Sequence, residues 1–241
     1  MTYPCLRAVV GALGLAAALG VTGCGLISSD VTDFDLTLPP KKFTIDAGHW
    51  NVDQAKANMY LDTSCASNAQ LCSSVAQAAC STGCTGTCNA VQKCDLVLDV
   101  SLSKSIDLVA EKPELKTIND QPVIKVTIDS VTYDVSHNDL NVATPELKVY
   151  VASISVAKPT DPSNPGRLIG TIPSIPAGHT TTSRQALVFT ASGKAELVNI
   201  MSSFKTPFNV WVAASLLVTS GQPVPSGMLE SSVYIQGHAG L

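Results

Sequence analysis

Six cysteines fall within thirty residues, Cys65, Cys72, Cys80, Cys84, Cys88 and Cys94, and no other feature of the 241-residue chain restricts its fold as sharply. An even set of closely spaced thiols reads as a disulfide framework in an oxidising compartment, three bonds drawn from 15 connectivities that sequence leaves open. The intervals hold six, seven, three, three and five residues, with no histidine among them. Paired Cys-x-x-Cys knuckles, the usual mark of a structural zinc site, are missing, so neither metal nor cofactor is expected. Residues 49–94 are otherwise rich in Ala, Ser, Asn, Gln and Gly. Within them Ser64 to Cys80 has helical spacing, through Cys65, Ala69, Cys72, Ala76 and Cys80, before Gly83 and Gly86 break it. Too few large apolar residues are present for a separate core. Disulfides worth about 2–4 kcal/mol each would supply what burial cannot, so 49–94 is expected to be a stapled, partly helical insertion.

The flanking chain has a different texture. Leu36 and Leu38 alternate with Asp35 and Thr37, Phe43 and Ile45 continue the pattern, and Leu96, Leu98, Val100 and Leu102 resume it. Period-two alternation is the signature of half-buried strands. From Val123 to Val135 the apolar phase changes from even (Ile124, Val126, Ile128) to odd (Val131, Tyr133, Val135). One slipped position moves every later side chain to the other face, so Asp129-Ser130 should hold a bulge. The same shift is expected between Val151 and Ile154, and strands bent in this way pass from one sheet to another. Asp161 to Gly166 is turn chemistry. Leu168–Ile172 and Ala186–Ala191 read as strands. Leu197, Ile200, Met201 and Phe204 form one helical stripe with Ser192 as N-cap. Val210 to Val218 alternates, and Val233–Ile235 closes the chain. The expectation is a mainly β chain of eight or nine strands, an antiparallel β-sandwich of immunoglobulin or fibronectin type built from 31–48 and 95–241, with one short helix near its C-terminal strands.

The N-terminus supplies an address. A single basic residue, Arg7, precedes the apolar run Ala8–Leu19, too short to span a bilayer, and small residues follow. Val21-Thr22-Gly23-Cys24 resembles the lipobox of bacterial lipoproteins. That resemblance implies a signal peptide over 1–23, acyl chains on Cys24, and a tether over 24–30 that keeps the domain near a membrane. Gly25 is not the aspartate that retains many such proteins in the inner membrane, so the resemblance implies the outer membrane. The rival is plain secretion with Cys24 as an ordinary thiol. The leader carries one of the 15 basic residues and none of the 19 acidic ones, so the remainder stands at 14 against 19, a net charge of −5. That balance lacks the basic clusters of a nucleic-acid binder. The expected contacts are the membrane, through the lipid, and an envelope protein or polysaccharide.

Residues Val131–Val135, His137-Asn138-Asp139-Leu140-Asn141, Leu147–Val151, Ile175-Pro176-Ala177-Gly178, a helix over Ala195–Phe204 and a strand over Val210–Val218 follow one another in order. This succession is similar to late-embryogenesis-abundant type 2, or water-stress (WHy), domains, although the family's Asn-Pro-Asn turn lacks its proline here. The resemblance implies a fibronectin-like sandwich without catalytic residues and a loosely defined protective or binding role.

The sequence carries no G-x-S-x-G, H-E-x-x-H or phosphate-cradling glycine loop. His49, His137, His179 and His238 are scattered. Asp46, His49 and Asp53 form the nearest approach to a cluster, either a weak acid/base or metal site or a turn with Asp46 as a cap. Trp50 and Tyr60 are expected to pack the insertion against its host, the other possibility being an aromatic contact patch. Trp211 and Phe208 are expected in the core. A non-enzymatic binding or structural module is therefore the expected function. The alternative is an enzyme whose site lies at the seam of insertion and sandwich. A redox role for Cys80, Cys84 or Cys88 would need an exposed, low-pKa pair.

Overall fold

The computed structural model describes residues 34–80, 83–118 and 124–240; the leader, Cys24 and the tether lie outside the described residues. In chain order the strands are β1 (Phe34–Asp35), β2 (Lys41–Asp46), β3 (Cys84–Cys88), β4 (Cys94–Ile106), β5 (Lys125–Asn138) and β6 (Leu147–Ser153). They continue as β7 (Arg167–Ile172), β8 (Gln185–Ala186), β9 (Val188–Phe189), β10 (Phe208–Val218) and β11 (Met228–Gly240). The helices are α1 (Gln54–Leu61), α2 (Leu71–Ala79), α3 (Leu108–Glu111) and α4 (Gly193–Ser202). The strands make two antiparallel sheets, β1 and β2 beside β11, then β5 and β8, facing β3-β4-β10-β6-β7-β9. The fold is an antiparallel sandwich whose inner faces share one core, with Phe43, Ile45, Ile128 and Val131 from one sheet meeting Leu98, Val149, Val210 and Val212 from the other. None of the helices among the described residues is long and apolar enough to cross a membrane.

Strands β1 and β2 occupy successive parts of the same edge. Phe34 lies opposite Ala239 and Lys41 opposite Val233. Between them the N–H groups of Leu36 and Leu38 donate to Gly237 and Ile235 at 2.8 and 3.0 Å. Pro39 and Pro40 therefore sit at a sheet edge, where a missing N–H costs no ladder bond. Strand β11 runs for thirteen residues, far beyond the Val233–Ile235 expected. Its buried face includes Ser231, Gly237 and Ala239, residues that carry no apolar signal of their own. They are covered because β11 lies between two partners.

The phase change in β5 is a bulge. Ser130 pairs with Gln236 and Ile128 with Gly237, which leaves Asp129 unpaired and keeps both halves of the strand facing the core. The second expected shift is not within a strand. β6 ends at Ser153, Ile154 is exposed on a turn, and Val156 belongs to a small cluster on the outer face with Tyr150, Ala152, Trp211 and Ala213. Trp211 is thus buried outside the main core, because odd positions of β10 point away from it; Phe208, at an even position, is inside. The change of sheet falls at 185–189 instead. β8 pairs with β5 and β9 with β7, while buried Leu187 between them donates its N–H to Val131 at 2.9 Å. Such two-residue strands are too short to show a period, which explains the expectation of fewer than eleven. Helix α4 packs on β5 and β7 through Leu197 and Met201, and Phe204 just beyond it is also buried. Ser192 stands at the N-cap without a side-chain bond.

The cysteine segment differs from its expectation in detail. Ser64 forms an isolated antiparallel bridge with Lys93, turns follow up to Gln70, and the helix begins at Leu71. The Asn68 carboxamide accepts from the Gln70 N–H at 3.0 Å, a local bond that competes with helix propagation. Helix α1, nearly without amphipathic pattern (QAKANMYL), gave no periodic signal. β3 is hydrogen-bonded to β4, and Ala57, Tyr60, Leu61 and Cys72 join the common core. The segment extends the sandwich, so it needs no core of its own.

Candidate functional site

The seam between cysteine segment and sandwich is built outward from β2. Asp46 ends that strand and accepts from the Gly48 N–H at 2.8 Å, capping a 3-10 turn over Ala47–Trp50. Asn51 then adopts the left-handed region (φ 47°), a conformation asparagine tolerates better than most residues. Asp53 caps α1 by accepting from the Lys56 N–H at 2.9 Å. Two members of the Asp46/His49/Asp53 cluster are thus helix caps, and His49 stands exposed on the turn between them.

Trp50 and Tyr60 fasten the segment to the sandwich. The buried Trp50 indole donates to the Asp99 carbonyl at 3.0 Å. The Tyr60 hydroxyl reaches the carbonyls of Cys72 and Asp95 at 3.0 and 3.2 Å. Burial, with a smaller contribution from the Asp95 charge, pushes the Tyr60 phenol up to about 12. Gly86 lies directly opposite; a Cβ there would overlap the Tyr60 hydroxyl and the Cys72 carbonyl. Only glycine allows that approach.

Three disulfides close the segment. Cys65 bonds Cys88, Cys72 bonds Cys94 and Cys80 bonds Cys84, with Cα separations of 5.9, 5.3 and 6.5 Å. The first two abut, since the sulfurs of Cys65, Cys72 and Cys94 lie within 4.8 Å of one another. All three are committed to disulfides, and a metal needs thiolate.

At the seam a cavity of about 510 Å³ opens between β2 and β4, lined by Thr44, Ile45, His49, Trp50, Ser101 and Leu102 among others. A second hollow of about 340 Å³ continues it over the outer face of β4, β10 and β6 and shares Asp99, Ser101 and Lys158. Lys158 stands 3.9 Å from Asp99, whose other carboxylate oxygen accepts from Ser215 at 3.1 Å. Tyr150 lines the second hollow, its phenol raised by burial. Asp99, Ser101 and Lys158 carried no motif in the sequence; two are exterior strand positions and one lies in a loop 57 residues beyond Ser101.

The remaining histidines do not converge on this groove. His137 is 3.5 Å from Asp139, and His238 is 3.3 Å from Asp129. His179 follows the Pro176 turn. There the Asn-rich and Pro-Ala-Gly turns meet. The largely buried Asn138 donates to the Pro176 and His179 carbonyls at 2.9 and 3.0 Å and accepts from the Leu140 N–H at 3.1 Å. Asn141 binds the Val224–Ser226 loop, with Nδ2 donating to Val224 at 3.0 Å and Oδ1 accepting from Ser226 at 2.8 Å. Asp139 accepts from the Met228 N–H, which, with a smaller contribution from His137, holds its carboxyl below the usual range.

No family model matches the chain, and no curated protein does. Among solved structures, it is similar to a chain of the Israeli acute paralysis virus particle heated to 63 degrees (full particle), at 6% identity and a TM-score of 0.27 over 97% of this chain and 85% of that one. A TM-score of that size carries no argument about fold or function.

Proposed function

We propose that this chain is a lipid-anchored, non-enzymatic binding or structural module of the bacterial envelope. Acyl chains on Cys24 hold it at the outer membrane, and it meets an envelope protein or polysaccharide with its far end. The observation that carries this reading is the placement of the two ends. The described chain enters at Phe34, opposite Ala239 near the end of β11, whereas the cysteine segment departs after Asp46, opposite Met228 at the start of β11. Thirteen residues at roughly 3.3 Å each separate these ends by about 40 Å. The expected tether, 24–30, and the three residues after it reach at most about 33 Å. The groove and the disulfide-held segment thus stand away from the attachment point, on a rigid scaffold, where recognition elements are commonly carried. Proximity to the membrane raises the local concentration of any envelope partner and favours weak contacts. The likeness to water-stress domains supports the same class of role, and Asn138 joins the two turns on which that likeness rests.

Substituting Cys24→Ser tests the anchor. The protein should move from the detergent phase to the soluble fraction, since stable anchoring takes two or more acyl chains. Unchanged partitioning overturns the reading. One observation favours an enzyme instead: Asp46, His49, Asp99 and Lys158 line a single cavity. Against it, Asp46 is a cap and Asp99 is bound by Ser215. Turnover in a hydrolase screen that vanishes with His49→Ala would establish the enzyme.

A further inference from the structure

Strand β4 is paired unequally along its two edges. On one side β10 accompanies it from Leu96 to Ile106. On the other, β3 accompanies it only from Cys94 to Leu98, and Gly83 takes one further bond, from the Asp99 N–H at 2.8 Å. Antiparallel strands point the N–H and C=O of alternate residues to alternate sides. Asp99 points toward β3, so Ser101, Ser103 and Ser105 point the same way. No strand receives them among the described residues. The Trp50 indole, by occupying the Asp99 carbonyl, marks where the pairing stops.

Beside this open edge lies the 510 Å³ cavity, walled on its inner side by Ile45, Trp50 and the half-buried Leu102. We propose that the free edge of β4 accepts an extended peptide segment of a protein partner, which continues the line of β3 as an added strand. Main-chain bonds to Ser101, Ser103 and Ser105 give the affinity, and alternate side chains are read by pockets, as in other strand-addition sites. Inward residues of the segment meet Ile45, Trp50 and Leu102 and are apolar and β-branched. Lys104 is exposed on this stretch and selects an acidic residue there, whereas Lys158 in the cavity wall already faces Asp99 at 3.9 Å. A lysine on an exposed edge also opposes pairing between copies of the chain. The proposal rests on the reading of the groove as a binding site but not on the lipid anchor.

The test uses amide exchange on the mature chain in detergent micelles. In the free protein the amides of Ser101, Ser103 and Ser105 should exchange fast, and those of Leu102 and Lys104, bonded to β10, slowly. The probes are acetylated heptapeptides alternating Val with Thr, with Glu, Gln or Lys at the central position. The Glu peptide should slow exchange at the three serines at least tenfold and bind at least fivefold tighter than the Lys peptide. Methylating its alternate amide nitrogens, which leaves the protein untouched, should abolish binding. The variant Ser103→Pro, which removes only an outward N–H, should weaken binding at least tenfold. The proposal falls if the three serine amides are already protected in the free chain, or if no peptide slows them. It falls likewise if sedimentation shows a dimer that Ser103→Pro dissolves, or if an envelope polysaccharide protects these amides and peptides do not. None of these outcomes depends on Cys24, so they are distinct from failure of the anchor reading.

Discussion

Asn138 does the most with a single side chain. It is 8% exposed and makes three bonds that join two turns distant in sequence. Substituting Asn138→Ala removes the donor to two carbonyls on exposed residues, of which Pro176 keeps its bond from the His179 N–H at 3.1 Å, and leaves the N–H of buried Leu140 without its acceptor, a loss of about 1–3 kcal/mol. Chemical denaturation should therefore show a loss of about 1–3 kcal/mol. A loss below about 1 kcal/mol would show that the turns hold independently. Neighbouring Asp139 has a depressed carboxyl pKa, so its contribution is present above the unfolded value near 3.9 and is lost as pH falls through the lower folded value. Met228→Pro removes the principal donor, and carboxyl NMR should then find the Asp139 midpoint moved up toward 3.9. Tyr60 has the opposite sense. Unfolded tyrosine releases its proton near 10 and the native residue at about 12. Stability should thus decline as pH rises through that window, and Tyr60→Phe should lessen this decline, Tyr133 and Tyr150 keeping their own smaller parts in it, while costing the bonds to Cys72 and Asp95. The sequence pointed Tyr60 to the seam between insertion and sandwich but announced none of these bonds, because a hydrogen bond across 35 or 41 residues leaves no local mark.

At the scale of elements, the bulge in β5 was legible because a change of apolar phase can be read along one strand. It makes an unusual prediction. Deleting Asp129 removes the unpaired residue and restores regular alternation from Ile128 to Val131, so the chain should still fold, with a modest loss from the contact to His238. Deleting Thr127 instead turns Ile124 and Val126 outward and should cost several kcal/mol. Equal melting temperatures for the two deletions would sink this account. The disulfides make a second ranking. By loop closure, Cys65–Cys88 and Cys72–Cys94, separated by 23 and 22 residues, contribute about 3.4 kcal/mol each, whereas Cys80–Cys84, separated by four, contributes about 1.9. Replacing Cys72 and Cys94 with serine should cost more still, since both are fully buried beside Leu96 in the shared core. Replacing Cys80 and Cys84 should leave β3 paired, as amide exchange would report.

For the whole molecule, the consequence is a polarity, with Phe34 at one end of β11 and the start of the stapled segment at the other. Because β3 belongs to the larger sheet and α1 and α2 cover its inner face, reduction of the disulfides should expose part of the sandwich as well. Fluorescence of Trp50, 3% exposed at the seam, should shift to the red on reduction, whereas a segment merely resting against the sandwich would leave it unchanged.

What the sequence determined by itself follows from periodicity and composition. Alternation specified strands from Leu96 to Leu102 and Val210 to Val218, an apolar stripe specified α4, and six cysteines specified a stapled segment between strands. These are properties of near neighbours, and near neighbours share a local geometry. Tertiary structure alone decided the disulfide connectivity, the length of β11, the crossing of 185–189 between sheets and the removal of Trp211 to an outer cluster. It alone also left β4 open at Ser101–Ser105, because that depends on where β3 stops. Each of these is set by which surfaces remain to be covered once the strands have paired, a condition that no stretch of chain carries within itself.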